Sequence, residues 1–300
     1  MFERIVVGVD GSPEGHDAVT LGAAIAEATG AQCSLVHVFS PSLFPIAGMT
    51  DRRTLRTHAE RALRAERQRL IPSATVHVVS DTSVPRGLRH YAERLGADLV
   101  VIGSGRGTTP GHVHIGRRSR QLLWEAPFAV AIARRGLADD GCTLGSILVG
   151  YDGEPEAEPA FDAAAELADA AHGRLRVLTV LEQPAHSHGP FAVPGHHDGV
   201  DAEERRLDAL TNAQARAHSL SVPAEVEVAV GDPGHSLRDR SHDTDLIVIG
   251  SRRWGSVARI VSGSVGETLV GGAHCSVVIV PRPSRGARRR AALSRSAADS

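Results

Sequence analysis

The sequence predicts two tandem α/β domains, each a doubly wound, Rossmann-like sheet of five parallel strands. Three observations carry this. The chain has 300 residues, which suits two domains of about 150 residues each. Strand-like and helix-like segments alternate along it. The whole pattern also occurs twice. Residues 4–10 (RIVVGVD), followed by Gly11, return 142 positions later as 146–152 (SILVGYD), followed by Gly153. Residues 97–104 (ADLVVIGS) return as 244–251 (TDLIVIGS), and Gly116 returns as Gly263, both 147 positions later. The five-residue difference calls for a longer loop in the second copy, and 182–199 is the best place for it.

Composition narrows the class. The chain is 42% hydrophobic but only 3% aromatic. Its core must therefore rest on Val, Ile, Leu and Ala, and it offers few rings on which single-stranded nucleic acid could stack. A net charge of −2 gives no overall basic field for nucleic acid or membrane. The opening MFERIVVGVDGS reads as a strand and turn rather than a signal peptide. No run of about 18 apolar residues suggests a membrane span, so a cytoplasmic protein is expected. Cys33, Cys142 and Cys275 are few and far apart, without metal-ligand spacing. Cys33 and Cys275 fall in predicted strands, where small buried hydrophobes are expected.

In the first copy, 5–9 is a continuous apolar run, as a parallel strand buried on both faces requires. Residues 14–28 have helical spacing, and Gly30 stops them. Strand 32–38 follows. Helix 51–70 carries seven arginines, best read as a solvated face paired with Glu60 and Glu66; a nucleic-acid or partner surface is the alternative. Then come strand 75–79, helix 85–95 with Pro85 in its first turn, strand 99–102, a glycine-rich loop 103–115, helix 116–125 and strand 128–133. The second copy predicts strands 147–149, 175–181, 225–230, 246–249 and 276–280. Its helices are 154–171, 201–220, 234–241 and 263–271. Residues 134–145, with Gly136, Asp139, Asp140 and Gly141, form a linker short enough to make the domains pack as a pseudo-dimer. The domains are thus 1–135 and 146–282. The tail 283–300, with Arg288, Arg289 and Arg290, reads as disordered, or as a basic interaction arm.

Open parallel sheets bind ligands at the carboxyl ends of their strands, where strand order reverses. Two features converge there in each copy. One is the turn after the first strand, Asp10-Gly11-Ser12 or Asp152-Gly153. The other is the glycine-rich loop after the fourth strand, where bare backbone and a helix N-terminus suit phosphate. Asp-Gly is also a common turn pair, so the turn gains its meaning from recurring at a strand end. Ser-His-Asp order, GxSxG, HExxH and GxxxxGK[ST] are all missing from the sequence, which leaves hydrolase and P-loop chemistry unsupported. His186, His188, His196 and His197 share one Gly/Pro-rich loop, read as solvated rather than metal-binding. His112 and His114 flank the first glycine-rich loop, as surface residues or phosphate contacts.

The combination of VGVDGS, His37-Val38 ending the second strand, VIGS ending the fourth and a late glycine before the last helix resembles the universal stress protein family. The likeness covers 3–133 and 146–281. It implies strand order 3-2-1-4-5, contact between domains through the last strands, and ATP held by a motif of Gly, two residues, Gly, nine residues, then Gly-Ser or Gly-Thr. In the second copy Gly250, Gly263 and Ser264 match, Arg253 stands at the second glycine, and Gly255 lies two residues late. In the first copy Gly103 and Gly116 match, while Arg106 and Arg117 replace the second glycine and the hydroxyl residue. Arginine there adds bulk but is also a bidentate phosphate donor, a role open to Arg252, Arg253 and Arg106.

By this resemblance, adenine would lie against Val180 and the Tyr151–Asp152 strand end, phosphates against Gly250, Gly263, Ser264 and Val265, and Ile249 would join the nucleotide site. The counterparts in the first copy are Val9, Asp10, Val38, Ile102, Gly103 and Gly116. The expectation is a stress-response, ATP-binding regulatory module, with ligand mainly in the second domain and Mg2+ arriving with ATP. A nucleotide-free dimerisation scaffold and a slow ATPase are the alternatives. Partners would be nucleotide, the other domain and a second copy of the chain.

Overall fold

The computed structural model describes residues 2–39, 52–182, 198–251 and 264–281. The expected Arg252, Arg253, Gly255 and Gly263, the histidine-rich loop and the tail lie outside these residues.

The first half runs β1 (Arg4–Gly8), α1 (Pro13–Thr29), β2 (Gln32–Phe39), α2 (Arg52–Leu70), β3 (Thr75–Ser80), α3 (Val84–Leu95), β4 (Leu99–Gly103), α4 (Arg117–Glu125) and β5 (Ala129–Ala133). After α5 (Leu137–Asp140), the second half repeats the plan: β6 (Ser146–Gly150), α6 (Glu158–Ala170), β7 (Arg174–Leu181), α7 (Asp198–His218), β8 (Ala224–Val230), α8 (Pro233–Arg240), β9 (Leu246–Gly250), α9 (Ser264–Val270) and β10 (Ser276–Val280).

The strands form one ten-stranded sheet in the order β3-β2-β1-β4-β5-β10-β9-β6-β7-β8. Each half has the order 3-2-1-4-5 with parallel pairing. The halves join edge to edge, with β5 antiparallel to β10 through Ile132–Val277, Ala131–Val278 and Val130–Ile279. Two expected sheets are thereby one, because pairing the last strands leaves neither with an open edge at the seam. Strand side chains alternate between faces. Ile5, Val7, Leu99 and Val101 pack on one face with Leu21 and Ile25 of α1 and Phe161 of α6. Val6, Val100, Ile132 and Val277 pack on the other with Leu122, Leu123 and Leu269. Both layers run across the seam, so the two halves share one core.

Local chemistry sets the helix starts. Ser12 caps α1, its hydroxyl accepting from the Gly15 N–H at 3.2 Å, and Pro13 opens the first turn. Helix α6 begins at Glu158, four residues later than expected, with Pro159 in its first turn. Pro155 disfavours the helical region for Glu154 before it, and 154–157 form turns instead. The linker holds a helical turn of its own, α5. Buried Asp17 of α1 accepts from the N–H groups of Gly136 at 2.9 Å and Ala138 at 2.8 Å. That caps α5 and seats Leu137 in the core. On α2, Arg56 and Arg64 pair with Glu60, as a solvated face would, while Glu66, which pairs with Arg69, is buried and also meets His16 of α1 at 2.7 Å. Burial pushes the thiols of Cys33 and Cys275 up to about 12, consistent with packing rather than reactivity.

Candidate functional site

Clefts open at the carboxyl ends of the strands in both halves. The first has a volume of about 880 Å³. All six residues expected there, Val9, Asp10, Val38, Ile102, Gly103 and Gly116, line it, and Arg106 joins them. β1 delivers Asp10 just past its end, where Gly11 adopts φ 77°, a left-handed conformation that favours glycine. The Asp10 carboxylate accepts from the Ser12 hydroxyl and from the Ser12 N–H at 3.0 Å. The Arg106 guanidinium donates to its other oxygen at 3.3 Å. Burial works against the charge on Asp10, but the Ser12 hydrogen bonds and then Arg106 outweigh it and hold the carboxyl below the usual range.

Gly103 has a packing reason beside its expected phosphate role. A β-carbon there would overlap the backbone carbonyl of Glu14, so α1 can press against the end of β4 only with glycine at this position. Gly250 differs, since among the described residues a β-carbon there would sit 3.6 Å from the nearest atom, the Glu156 carbonyl oxygen. Gly116 is the N-cap residue of α4 and leaves that helix start without a side-chain cap. At the end of β2, the His37 Nδ1 lies 2.8 Å from the Val9 carbonyl oxygen, tying two cleft strands together.

The second cleft measures about 240 Å³ among the described residues. Tyr151, Asp152, Val180, Ile249, Gly250 and Val265 all line it. Ser264 opens α9. Tyr151 takes the place of Val9, and its ring is fixed in position. Its hydroxyl donates to Glu158 at 2.6 Å, and its ring packs 4.9 Å from that of Phe161. Glu158 also accepts from Arg216 at 2.8 Å, and Arg216 pairs with Asp162 and lies over the Phe161 ring at 4.5 Å. Burial, then the Glu158 hydrogen bond, pushes the phenol up. Burial opposes ionisation of Glu158, but Tyr151 and Arg216 together bring it below its ordinary value.

Sequence reasoning did not find the cleft walls supplied by α2 and α3. His58 and Leu63 of α2 and Pro85 and Leu88 of α3 line the first cleft, and Pro233 and Leu237 the second. Pro85 and Pro233, at matching helix starts, were the available signal. His112 does not face the first cleft, and its ring packs against His274 of the second half. No described helix is long and apolar enough to cross a membrane.

A model of the universal stress protein family matches residues 1–134 and 144–281. Universal stress protein Rv2623 of Mycobacterium tuberculosis is 28% identical over 301 residues, covering 92% of this chain and 95% of its own. Universal stress protein YxiE of Bacillus subtilis is 31% identical over 143 residues, covering 45% of this chain and 97% of its own. The structure of a universal stress protein from Archaeoglobus fulgidus superposes with a TM-score of 0.67 at 17% identity, covering 93% of this chain and 98% of the other. A Pseudomonas aeruginosa structure described as a putative universal stress protein gives the same score at 18% identity, covering 94% of each chain.

Proposed function

The chain belongs to the universal stress protein family, and from that premise we propose that it is a regulatory module whose state depends on bound nucleotide, ATP in the first instance. The observation that carries this reading is the first cleft. Its volume of about 880 Å³ falls in the range of small-molecule sites, about 300–1,000 Å³. Val38, Leu88 and Ile102 offer an apolar wall for a base, and Asp10 offers an acceptor for ribose hydroxyls. Gly116 and Arg106 offer N–H donors to phosphate. The second cleft retains the Gly263-Ser264 pair of the family motif, so both halves are candidates, with the larger described cavity in the first. Among the described residues no three His, Cys, Asp or Glu side chains stand together for a metal. Mg2+ would then enter with the triphosphate, with Asp10 or Asp152 as a single added ligand.

Nucleotide would act by population shift: it binds the ordered form of the glycine-rich loops more tightly and changes what they contact. Calorimetry with ATP on the full chain and on Asp10→Ala and Asp152→Ala variants tests this. Saturable heat that each variant reduces in its own half supports the reading, and no heat at millimolar ATP with the fold intact refutes it. A second reading has one observation in its favour. The Arg106–Asp10 pair spans the mouth of the first cleft, as it would in a scaffold that pairs domains without ligand.

A further inference from the structure

Three histidine rings meet where the halves join. His112 comes from the 104–115 loop of the first half, His274 precedes β10, and His242 lies in the turn Ser241–Asp243 after α8. His242 and His274 stack with centroids 3.6 Å apart, and His112 packs on His274 at 4.2 Å. Only His242 and His274 are stacked, His112 being tilted against His274, and no metal-ligating trio exists among the described residues. At the corresponding positions of the opposite seam, 147 residues earlier, His242 and His274 are replaced by Leu95 and Pro127. The pair of rings is therefore one-sided.

Beside the cluster, main-chain bonds hold the first half's loop to the second half. The Val113 N–H donates to the Ala273 carbonyl at 2.7 Å, and the Ile115 N–H donates to the Val270 carbonyl at 3.0 Å. Val270 ends α9, so its carbonyl is among those a helix leaves unpaired at its C-terminus. Val113 and Ile115 are buried there. The same loop carries Gly105 and Arg106 and runs into Gly116, all lining the first cleft. His112 is also tied inward. Its carbonyl accepts from the Arg135 N–H at 2.9 Å, and the Arg135 guanidinium pairs with Glu14, another cleft residue.

We propose that protonation of His274, packed between His242 and His112, releases the 104–115 loop from the second half and so loosens the wall of the first cleft. Every charged group found to act on His274 is basic: His112 from the loop, His242 from the turn and Arg238 from α8. Burial first, and then His242, His112 and Arg238, hold His274 below its ordinary value of 6.5. For a histidine depressed in this way, the docked seam has its full strength above that ordinary value. The strength is lost as pH falls below it, through the folded value. The effect on ligand affinity rests on the nucleotide reading, whereas the release of the loop does not.

Hydrogen exchange on the ligand-free full chain, at about pH 7.5 and about pH 5.5 and corrected for intrinsic rates, tests the proposal across the pH range of imidazole titration. Protection of peptides covering 104–116 should fall by about tenfold for each pKa unit of coupling, while β1 and β4 peptides hold theirs. A folded His242→Gln/His274→Gln variant should keep its loop protection at the lower pH. A wild-type loop indifferent to pH, or a double variant with the wild-type response, would overturn the proposal. Should the double variant not fold, NMR titration of the His274 ring in wild type decides, and an ordinary or raised midpoint counts against it. ATP affinity on the same samples separates the two readings. Failure to bind ATP at either pH removes the nucleotide reading and leaves the exchange result decisive.

Discussion

Arg106 reaches over the mouth of the first cleft to within 3.3 Å of Asp10. It stands where the family motif has glycine, and its side chain is 79% exposed. A side chain that exposed does not fill the cavity below it. It leaves guanidinium N–H groups available to an anion entering beside Gly116. Arg106→Ala should therefore weaken ATP binding in the first half roughly fivefold, since an exposed charge contact contributes about 1 kcal/mol. The difference between wild type and variant should shrink as salt is raised. Tighter binding by the variant would mean that Arg106 closes the cleft instead.

Two glycines that align in the repeat should respond differently to the same change. Gly103→Ala puts a methyl group into the Glu14 carbonyl, which is main chain and cannot swing away. Relief requires α1 to move off β4, at a cost on the order of 2–3 kcal/mol. Gly250→Ala meets its nearest neighbour among the described residues at 3.6 Å, an ordinary contact, and should stay within about 1 kcal/mol of wild type. Urea unfolding of both variants checks this. Equal losses would contradict the packing account of Gly103.

Much of this frame was legible in the sequence because buried parallel strands are continuous apolar runs, and these runs recur. Their ends placed Asp10 and Gly103, and the repeated late glycine placed Gly116, on one cleft. The cleft walls from α2 and α3 were not legible, because Leu63 and Leu88 sit at helical spacings indistinguishable from those of core residues. The capping of α5 by Asp17 was hidden for another reason. It joins residues about 120 positions apart, and a four-residue helix has no periodicity to read. The Tyr151–Glu158–Arg216 cluster and the histidine seam likewise depend on contacts between distant segments.

Asp17 offers a test of the ordered linker. It is 2% exposed, and its two oxygens accept the N–H groups of Gly136 and Ala138. Asp17→Ala leaves both half-buried donors without these acceptors, and an unsatisfied donor costs about 1–3 kcal/mol when fully buried. The variant should lose stability toward the lower end of that range and show faster proteolysis within 134–145, whereas Asp17→Asn, which keeps one acceptor oxygen, should lose less. Wild-type stability in Asp17→Ala would mean that α5 is held by Leu137 alone.

The charge cluster behind the second cleft predicts an acid limb in stability. Glu158 lies below its ordinary value of 4.5, where burial alone would have raised it, because Tyr151 and Arg216 bind the ionised form. A carboxylate depressed in this way contributes stability that is fully present above the unfolded value. The contribution is lost as pH falls below about 4.5, through the folded value. Thermal unfolding followed downward through that window should therefore be steeper in wild type than in Glu158→Gln, which has no proton to take up. Arg216→Met should flatten the same limb, because it removes the main cation holding Glu158 ionised while keeping apolar contact with the Phe161 ring. It should also free the Asp162 carboxylate. If both variants follow the wild-type profile, the cluster is a surface arrangement without energetic weight, and Tyr151 would owe its fixed position to Phe161 packing alone.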